Sequence, residues 1–231
     1  MIYGWHPGVE ALRNPKRRIR KLLTTENSAH RLAEEIGALP LEPEIVSPRE
    51  INALLEPDAV HQGIYIEADH LEGPDLDALP DDAVTLVLDQ ITDPHNVGAI
   101  VRTAAAFGVS AIVTTARHSP AATGVLAKSA SGGLEHVPFI VVRNLGDALQ
   151  QLGARGFMRI GLDSEGEDDF DAVIPVRPVA LVLGAEGKGL RQRTRSCCDV
   201  VARLDMPGAI KSLNVSNAAA VTLHALTRKL A

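Results

Sequence analysis

Apolar positions along the chain fall into two regimes, and the change between them divides it. Up to residue 67 the apolar stretches are short and mixed with polar residues. The spacing predicts a short helix over 7–13, a strand over 19–24, a helix over 29–38 and a brief extended piece over 43–46. Ser47 followed by Pro48, with Glu50 three residues on, is a capped helix start and predicts a helix to residue 55. GIYIE at 63–67 closes this part as a strand. Residues 68–82, ADHLEGPDLDALPDD, break both periodicities with two prolines and a glycine, as an exposed linker would. Beyond residue 83 the strands are mostly apolar: 84–89, 110–115, 138–142, 157–162, 178–183 and 199–204. Helical patterns lie between and after them at 96–107, 123–129, 145–152, 190–195 and 212–230. Apolar strands alternating with helices imply an α/β fold, a parallel sheet covered on both faces. The expected division is therefore 1–67, an acidic linker 68–82, and 83–231.

Composition changes this picture in few places. The chain has 231 residues, enough for one large domain or two small ones. No apolar run approaches the ~20 residues of a membrane span, and MIYGWHPGVEALRN lacks a signal peptide's basic start and long apolar core. A cytoplasmic protein without a membrane partner is expected. Cys197 and Cys198 are adjacent, with no CxxC or Cys/His spacing, so neither a disulfide framework nor a metal site is indicated. The formal charge of −6 conceals an uneven distribution. Arg13, Lys16, Arg17, Arg18, Arg20 and Lys21 form a run with no acid among them, whereas 67–82 carries seven acids and no lysine or arginine. Such a basic run can supply phosphate contacts to a nucleic acid despite the acidic total. Aromatic residues are only 3%, so base stacking on Tyr3 or Trp5 is expected to contribute little.

Three loops follow strands in the second part, where open α/β sheets bind ligands. In LDQITDPHNVGAIVRTAAAFG (88–108), Asp93-Pro94 turns the chain and Asn96 stands where a helix cap is expected. Gly98 would leave that helix start open to close approach. Arg102 lies six residues beyond Asn96, roughly 9 Å along a helix at ~1.5 Å per residue. LVLGAEGKGL (181–190) carries glycines at 184, 187 and 189, with Glu186 the polar residue expected to face a ligand. It fits neither a P-loop, which would need glycine at Val182 and Ser or Thr at Gly189, nor GxGxxG, because Gln192 takes the last glycine's place. The third loop opens the last helix with Ser212, Asn214, Ser216 and Asn217, more side-chain donors and acceptors than capping requires.

Taken together the three loops resemble the motifs of the SpoU branch of the SPOUT methyltransferases. They read Asn96-Val-Gly98-Ala-Ile-Val-Arg102, then Leu183-Gly184-Ala-Glu186-Gly-Lys-Gly-Leu190, then Ser212-Leu213-Asn214-Val215-Ser216, in the family's order over 84–230. The start, Tyr3-Gly4-x-His6, and Val60-His61-Gln62-Gly63-Ile64 are similar to the family's substrate-binding domain. Lys128-Ser129-Ala130-Ser131-Gly132-Gly133 resembles a loop of the bacterial 23S ribosomal RNA guanosine-2′-O-methyltransferases.

The resemblance implies a C-terminal trefoil knot, preceded by a small α/β RNA-binding domain, and a homodimer. It implies S-adenosyl-L-methionine as cofactor, contacted by Leu183, Gly184, Leu204, Met206 and Leu213. Asn96, Arg102, Glu186, Ser212 and Asn214 become the catalytic set, and Arg13, Lys16, Arg17, Arg18, Arg20 and Lys21 the RNA contacts, with Arg191, Arg193 and Arg195 as a second candidate patch. The reaction implied is methyl transfer to a ribose 2′-hydroxyl, most closely on a guanosine of 23S ribosomal RNA. Arginine holds its proton too tightly to serve easily as a base, so the role expected of Arg102 is electrostatic. A tRNA or ribosomal adenosine 2′-O-methyltransferase would share these motifs. An RNA-binding protein without catalysis would not need the polar set, and a phosphate-binding nucleotidase lacks its P-loop.

Overall fold

The computed structural model describes residues 1–116 and 124–230. The first part holds β1 (Ile2–Tyr3), α1 (Trp5–Arg13), β2 (Ile19–Thr24), α2 (Glu26–Ile36), β3 (Glu44–Ile45), α3 (Pro48–Asn52) and β4 (Ile64–Ala68). The second holds β5 (Val84–Asp89), α4 (Pro94–Ala106), β6 (Ala111–Thr115), α5 (Gly124–Ala130), β7 (Phe139–Val142) and α6 (Leu145–Ala154). It continues with β8 (Met158–Leu162), β9 (Asp168–Asp169), β10 (Val179–Gly184), α7 (Gln192–Ser196), β11 (Val200–Arg203) and α8 (Val215–Lys229).

The first four strands form a small sheet in the order β1-β4-β2-β3, antiparallel except between β2 and β3. Trp5, Val9, Leu12 and Leu32 from α1 and α2 cover one of its faces, around Leu22, Ile64 and Ile66. The other seven strands make a parallel sheet in the order β7-β6-β5-β10-β8-β11-β9. Strand alternation explains its two-sided core. Val84, Leu86 and Leu88 of β5 and Val179, Leu181 and Leu183 of β10 point to one side, against Ile100 and Val101 of α4 and Leu223 and Leu226 of α8. Val87, Ala180 and Val182 point to the other, against Leu145, Leu149 and Leu152 of α6. The expected α/β architecture is present. No helix among the described residues is long and apolar enough to cross a membrane.

The differences from the sequence reading have local causes. β1 and β9 are two-residue strands, too short to show a period. The start expected for α5 at Thr123 lies outside the described residues. Within 68–82, Leu76 and Leu79 are buried against the large sheet's second core instead of exposed, and Arg155 donates to both of their carbonyls at 2.7 Å. The two sheets are also joined by side chains. Arg17 Nη2 meets Glu135 Oε1 at 2.6 Å, with both side chains under a tenth exposed, and Asn14 Nδ2 donates to the same carboxylate at 2.8 Å. Ala127 of α5 lies in the first sheet's core. Cys197 and Cys198 are free and half-buried; burial pushes the Cys198 thiol up to about 12, so it stays protonated and unreactive at neutral pH.

Candidate active site

The helix start at α4 decides how the site is assembled. Asn96 does not cap it. Asp93 does, accepting from His95 N at 2.7 Å and Asn96 N at 3.2 Å, with Pro94 at the first helical position. The Asn96 side chain is thereby released, and Asn214 Nδ2 donates to its Oδ1 at 2.9 Å across 118 residues of sequence. α8 begins at Val215, later than expected, because Asn214 is its cap: Oδ1 accepts from Ser216 N at 3.0 Å and Ser216 Oγ at 2.6 Å. Asn214 Nδ2 also lies 3.5 Å from Glu186 Oε2. One residue from each of the three loops therefore meets at a point, beyond the C-terminal ends of β5 and β10.

The glycines do not all serve as the motifs suggested. A Cβ on Gly98 would fall 2.4 Å from Ser129 Cβ, so what approaches the helix there is α5 and not a ligand. A Cβ on Gly184 would meet the carbonyl carbon of Gly189 at 2.3 Å, because the 184–190 loop folds tightly back on itself. Gly187 and Gly189 have φ of 75° and 62°, which glycine adopts without strain. Asp163, at the end of β8, holds the loop by accepting from Leu190 N at 3.0 Å. Asp89, fully buried, accepts from Arg191 Nε at 2.6 Å and Arg191 N at 3.0 Å. Sequence reading missed Asp93, Asp89 and Asp163. Asp-Pro before a helix could have revealed the first, whereas the other two carry no local signal.

Beside the asparagine pair opens a cavity of about 960 Å3, lined by the loops after β8, β10 and β11 and by the start of α8. Gly184, Leu204, Met206 and Leu213 line it, and so do Glu186 and Ser212. Leu183 does not. Its side chain points into the core with Leu88, because in a strand it faces opposite to its neighbours. The donor set suits S-adenosylmethionine. Leu162, Leu190, Leu204 and Leu213 offer an apolar wall for an adenine. Glycine-rich backbone offers N–H and C=O groups for its edge, while Asp163, Glu165, Lys188 and Arg195 supply both charges for an amino-acid moiety.

Two predicted groups are placed elsewhere. Arg102 lines a separate cavity of about 340 Å3 with His6, Glu10, Arg13 and His136, and has no hydrogen bond or ion pair among the described residues. Within a single chain the structure thus joins Asn96, Glu186 and Asn214 but not Arg102. The basic run is largely neutralised. Arg13 pairs with Glu10 and Glu35, Arg18 and Arg20 with Asp69, and Lys21 with Glu44. Arg17 is buried against Glu135 and is not available to a phosphate. Lys16 is the one of the six without an acid partner among the described residues. Tyr3 and Trp5 are buried, so neither presents a stacking face. No cluster of three or more His, Cys, Asp or Glu suited to a metal occurs among the described residues.

Fold and site together define a class: a parallel-sheet α/β protein with a nucleoside-sized cavity and a polar cluster at the carboxyl ends of its central strands. The chain belongs to the SpoU rRNA methylase family, whose model matches residues 83–224. A second model, for RNA 2′-O ribose methyltransferase substrate binding, matches residues 1–74. The 23S rRNA (guanosine-2′-O-)-methyltransferase RlmB of Pseudomonas putida is 34% identical over 239 residues, covering 99% of this chain and 96% of that protein. RlmB of Coxiella burnetii is 35% identical, with 99% and 95% covered. Among solved structures, the SpoU methyltransferase AviRb from Streptomyces viridochromogenes in complex with AdoMet shares the fold with a TM-score of 0.82. That match has 24% identity and covers 99% of this chain and 89% of the other.

Proposed function

We propose that this protein transfers a methyl group from S-adenosylmethionine to the ribose 2′-hydroxyl of an RNA, most closely a guanosine of 23S ribosomal RNA. The observation that carries this reading is the meeting of Asn96, Glu186 and Asn214 at the rim of the 960 Å3 cavity. Full-length similarity to proteins named as 23S rRNA guanosine methyltransferases supports the substrate. In this reading residues 1–67 present the RNA, 68–82 connect, and 83–231 hold the chemistry as a trefoil knot. The protein acts in the cytoplasm as a homodimer; Val221, half exposed on α8, gives that helix an apolar spot for a second copy.

When bound, S-adenosylmethionine supplies a methyl group on a positively charged sulfur. Attack by the ribose oxygen requires that the hydroxyl give up its proton, to a phosphate oxygen, water or a neighbouring side chain, and that donor and acceptor be held in line. Asn96 and Asn214, locked to each other, supply fixed amide groups beside the cavity that orient the ribose. Glu186, exposed at the rim, accepts a hydroxyl hydrogen bond. Arg102 acts from its own cavity by electrostatics. It stabilises negative charge growing on the ribose oxygen of a site completed by the homodimer, or holds an adjacent phosphate. Its guanidinium is the feature that matters, so Arg102→Lys should lose roughly 10²-fold in kcat. Near-normal turnover of the lysine variant would show that the planar group is dispensable. The reading as a whole is tested by assaying purified protein on 23S ribosomal RNA and on tRNA, and by mapping 2′-O-methyl sites in cells with and without the gene. Loss of one guanosine mark in 23S ribosomal RNA is expected. Loss of a tRNA mark alone would move the substrate, and no loss anywhere would overturn the reading.

A further inference from the structure

A third cavity, of about 260 Å3, lies on the opposite side of the asparagine pair from the large one, and no motif accounts for it. Thr115, Arg143, Asn144, Arg191, Arg193 and Thr194 line it. Thr115 ends β6, Arg143 and Asn144 follow β7, and Arg191 ends the loop after β10. The carboxyl edge of the sheet therefore carries three features in strand order. This cavity lies over β7 and β6, the Asn96–Glu186–Asn214 cluster over β5 and β10, and the large cavity over β10, β8 and β11.

The chemistry of this cavity is that of an anion site. Arg191 and Arg193 are positioned by acids: Arg191 Nε by the buried Asp89, and Arg193 Nη2 by Asp147 at 2.5 Å. Gly146 lets Arg193 lie across the first turn of α6, since a Cβ there would stand 2.7 Å from Arg193 Nε. Asn144 commits its Oδ1 to Gly146 N and Asp147 N, which leaves its amide N–H groups as donors. Arg143 is exposed and has no hydrogen bond or ion pair among the described residues. Three guanidiniums against two carboxylates leave a net positive cavity, and arginine's planar fork matches phosphate oxygens. In the N-terminal basic run, by contrast, every base but Lys16 pairs with an acid of its own chain.

We propose that this cavity binds a backbone phosphate of the RNA, next to the nucleotide whose ribose lies at the asparagine pair. Strands in a sheet lie ~4.8 Å apart, so β5 to β7 spans roughly 10 Å, the scale of a neighbouring nucleotide. The large cavity fills the other side, so the RNA backbone leaves the catalytic cluster over β6 and β7. Arg143 is the unpaired contact, and Arg191 and Arg193 are the fixed ones. The inference rests on the RNA methyltransferase reading and adds where the strand runs.

The test uses the full chain, an RNA that the wild-type protein methylates, and the variants Arg143→Gln, Arg143→Glu and Arg143→Lys. Arg143→Gln should weaken RNA binding about tenfold and Arg143→Glu more, while Arg143→Lys recovers most of the loss. The slope of log affinity against log salt should become shallower by about 0.7–0.9 in Arg143→Gln, one phosphate contact's worth. The loss should fall on KM for RNA, with S-adenosylmethionine affinity by calorimetry unchanged. Wild-type RNA affinity and salt slope in both Arg143→Gln and Arg143→Glu would overturn the inference while leaving the methyltransferase reading intact. A wild-type protein that neither binds nor methylates RNA would overturn both.

Discussion

Asn214→Asp should remain folded yet lose turnover by about 10²-fold, the scale expected when a positioning contact is broken. The asparagine holds two positions at once. Its Oδ1 caps α8 by accepting from Ser216 N, and its Nδ2 donates to Asn96 Oδ1 at 2.9 Å with Glu186 3.5 Å away. Aspartate is as good a cap, so the helix start survives and stability should change by no more than about 1 kcal/mol. The donor, however, is gone, and a second carboxylate stands opposite Glu186. Asn214→Ala loses cap and donor together and should add about 1 kcal/mol of destabilisation to the same loss of turnover. Denaturant midpoints and methyl transfer at saturating cofactor and RNA separate the two roles. If Asn214→Asp keeps half or more of wild-type turnover, the bond between the two asparagines is only structural.

Glu135→Ala should destabilise the protein by about 3–5 kcal/mol, the cost of leaving a buried charge without its partner. The Glu135 side chain is only 4% exposed and accepts from Arg17 Nη2 at 2.6 Å, Arg17 Nε at 3.1 Å and Asn14 Nδ2 at 2.8 Å. Removing the carboxylate strands a guanidinium that is 7% exposed, at the junction between the two sheets. Arg17 retains only a bond to the Asp69 carbonyl at 2.8 Å. The double variant Arg17→Met/Glu135→Leu removes both charges, fills similar volume and should recover most of the loss. Urea unfolding monitored by circular dichroism gives all three values. A Glu135→Ala loss below about 1 kcal/mol would mean that water reaches the pair.

Much of this was legible in the sequence for a simple reason. Buried parallel strands must be apolar on both faces, so VTLVLD and PVALVL announced themselves without any tertiary information. Polar residues gathered at a helix start likewise marked Ser212–Ser216, and the resemblance of three loops in order supplied the cofactor and reaction. What was misread shares one cause. Whether Asn96 caps its own helix or reaches Asn214 depends on Asp93 taking the cap first. Whether Arg17 meets a phosphate or Glu135 depends on how the first sheet docks on the loop after α5.

Local pattern and short-range chemistry determined the elements, the parallel sheet and the three loops, because each of these is set by residues within a few positions of one another. Only the tertiary structure decided the partners. It joined Asn96 to Asn214, turned Leu183 inward, set Arg102 in a cavity of its own and gathered Arg143, Arg191 and Arg193 at one edge. Those pairings link positions up to 118 residues apart, where strand order and not spacing along the chain sets the distance.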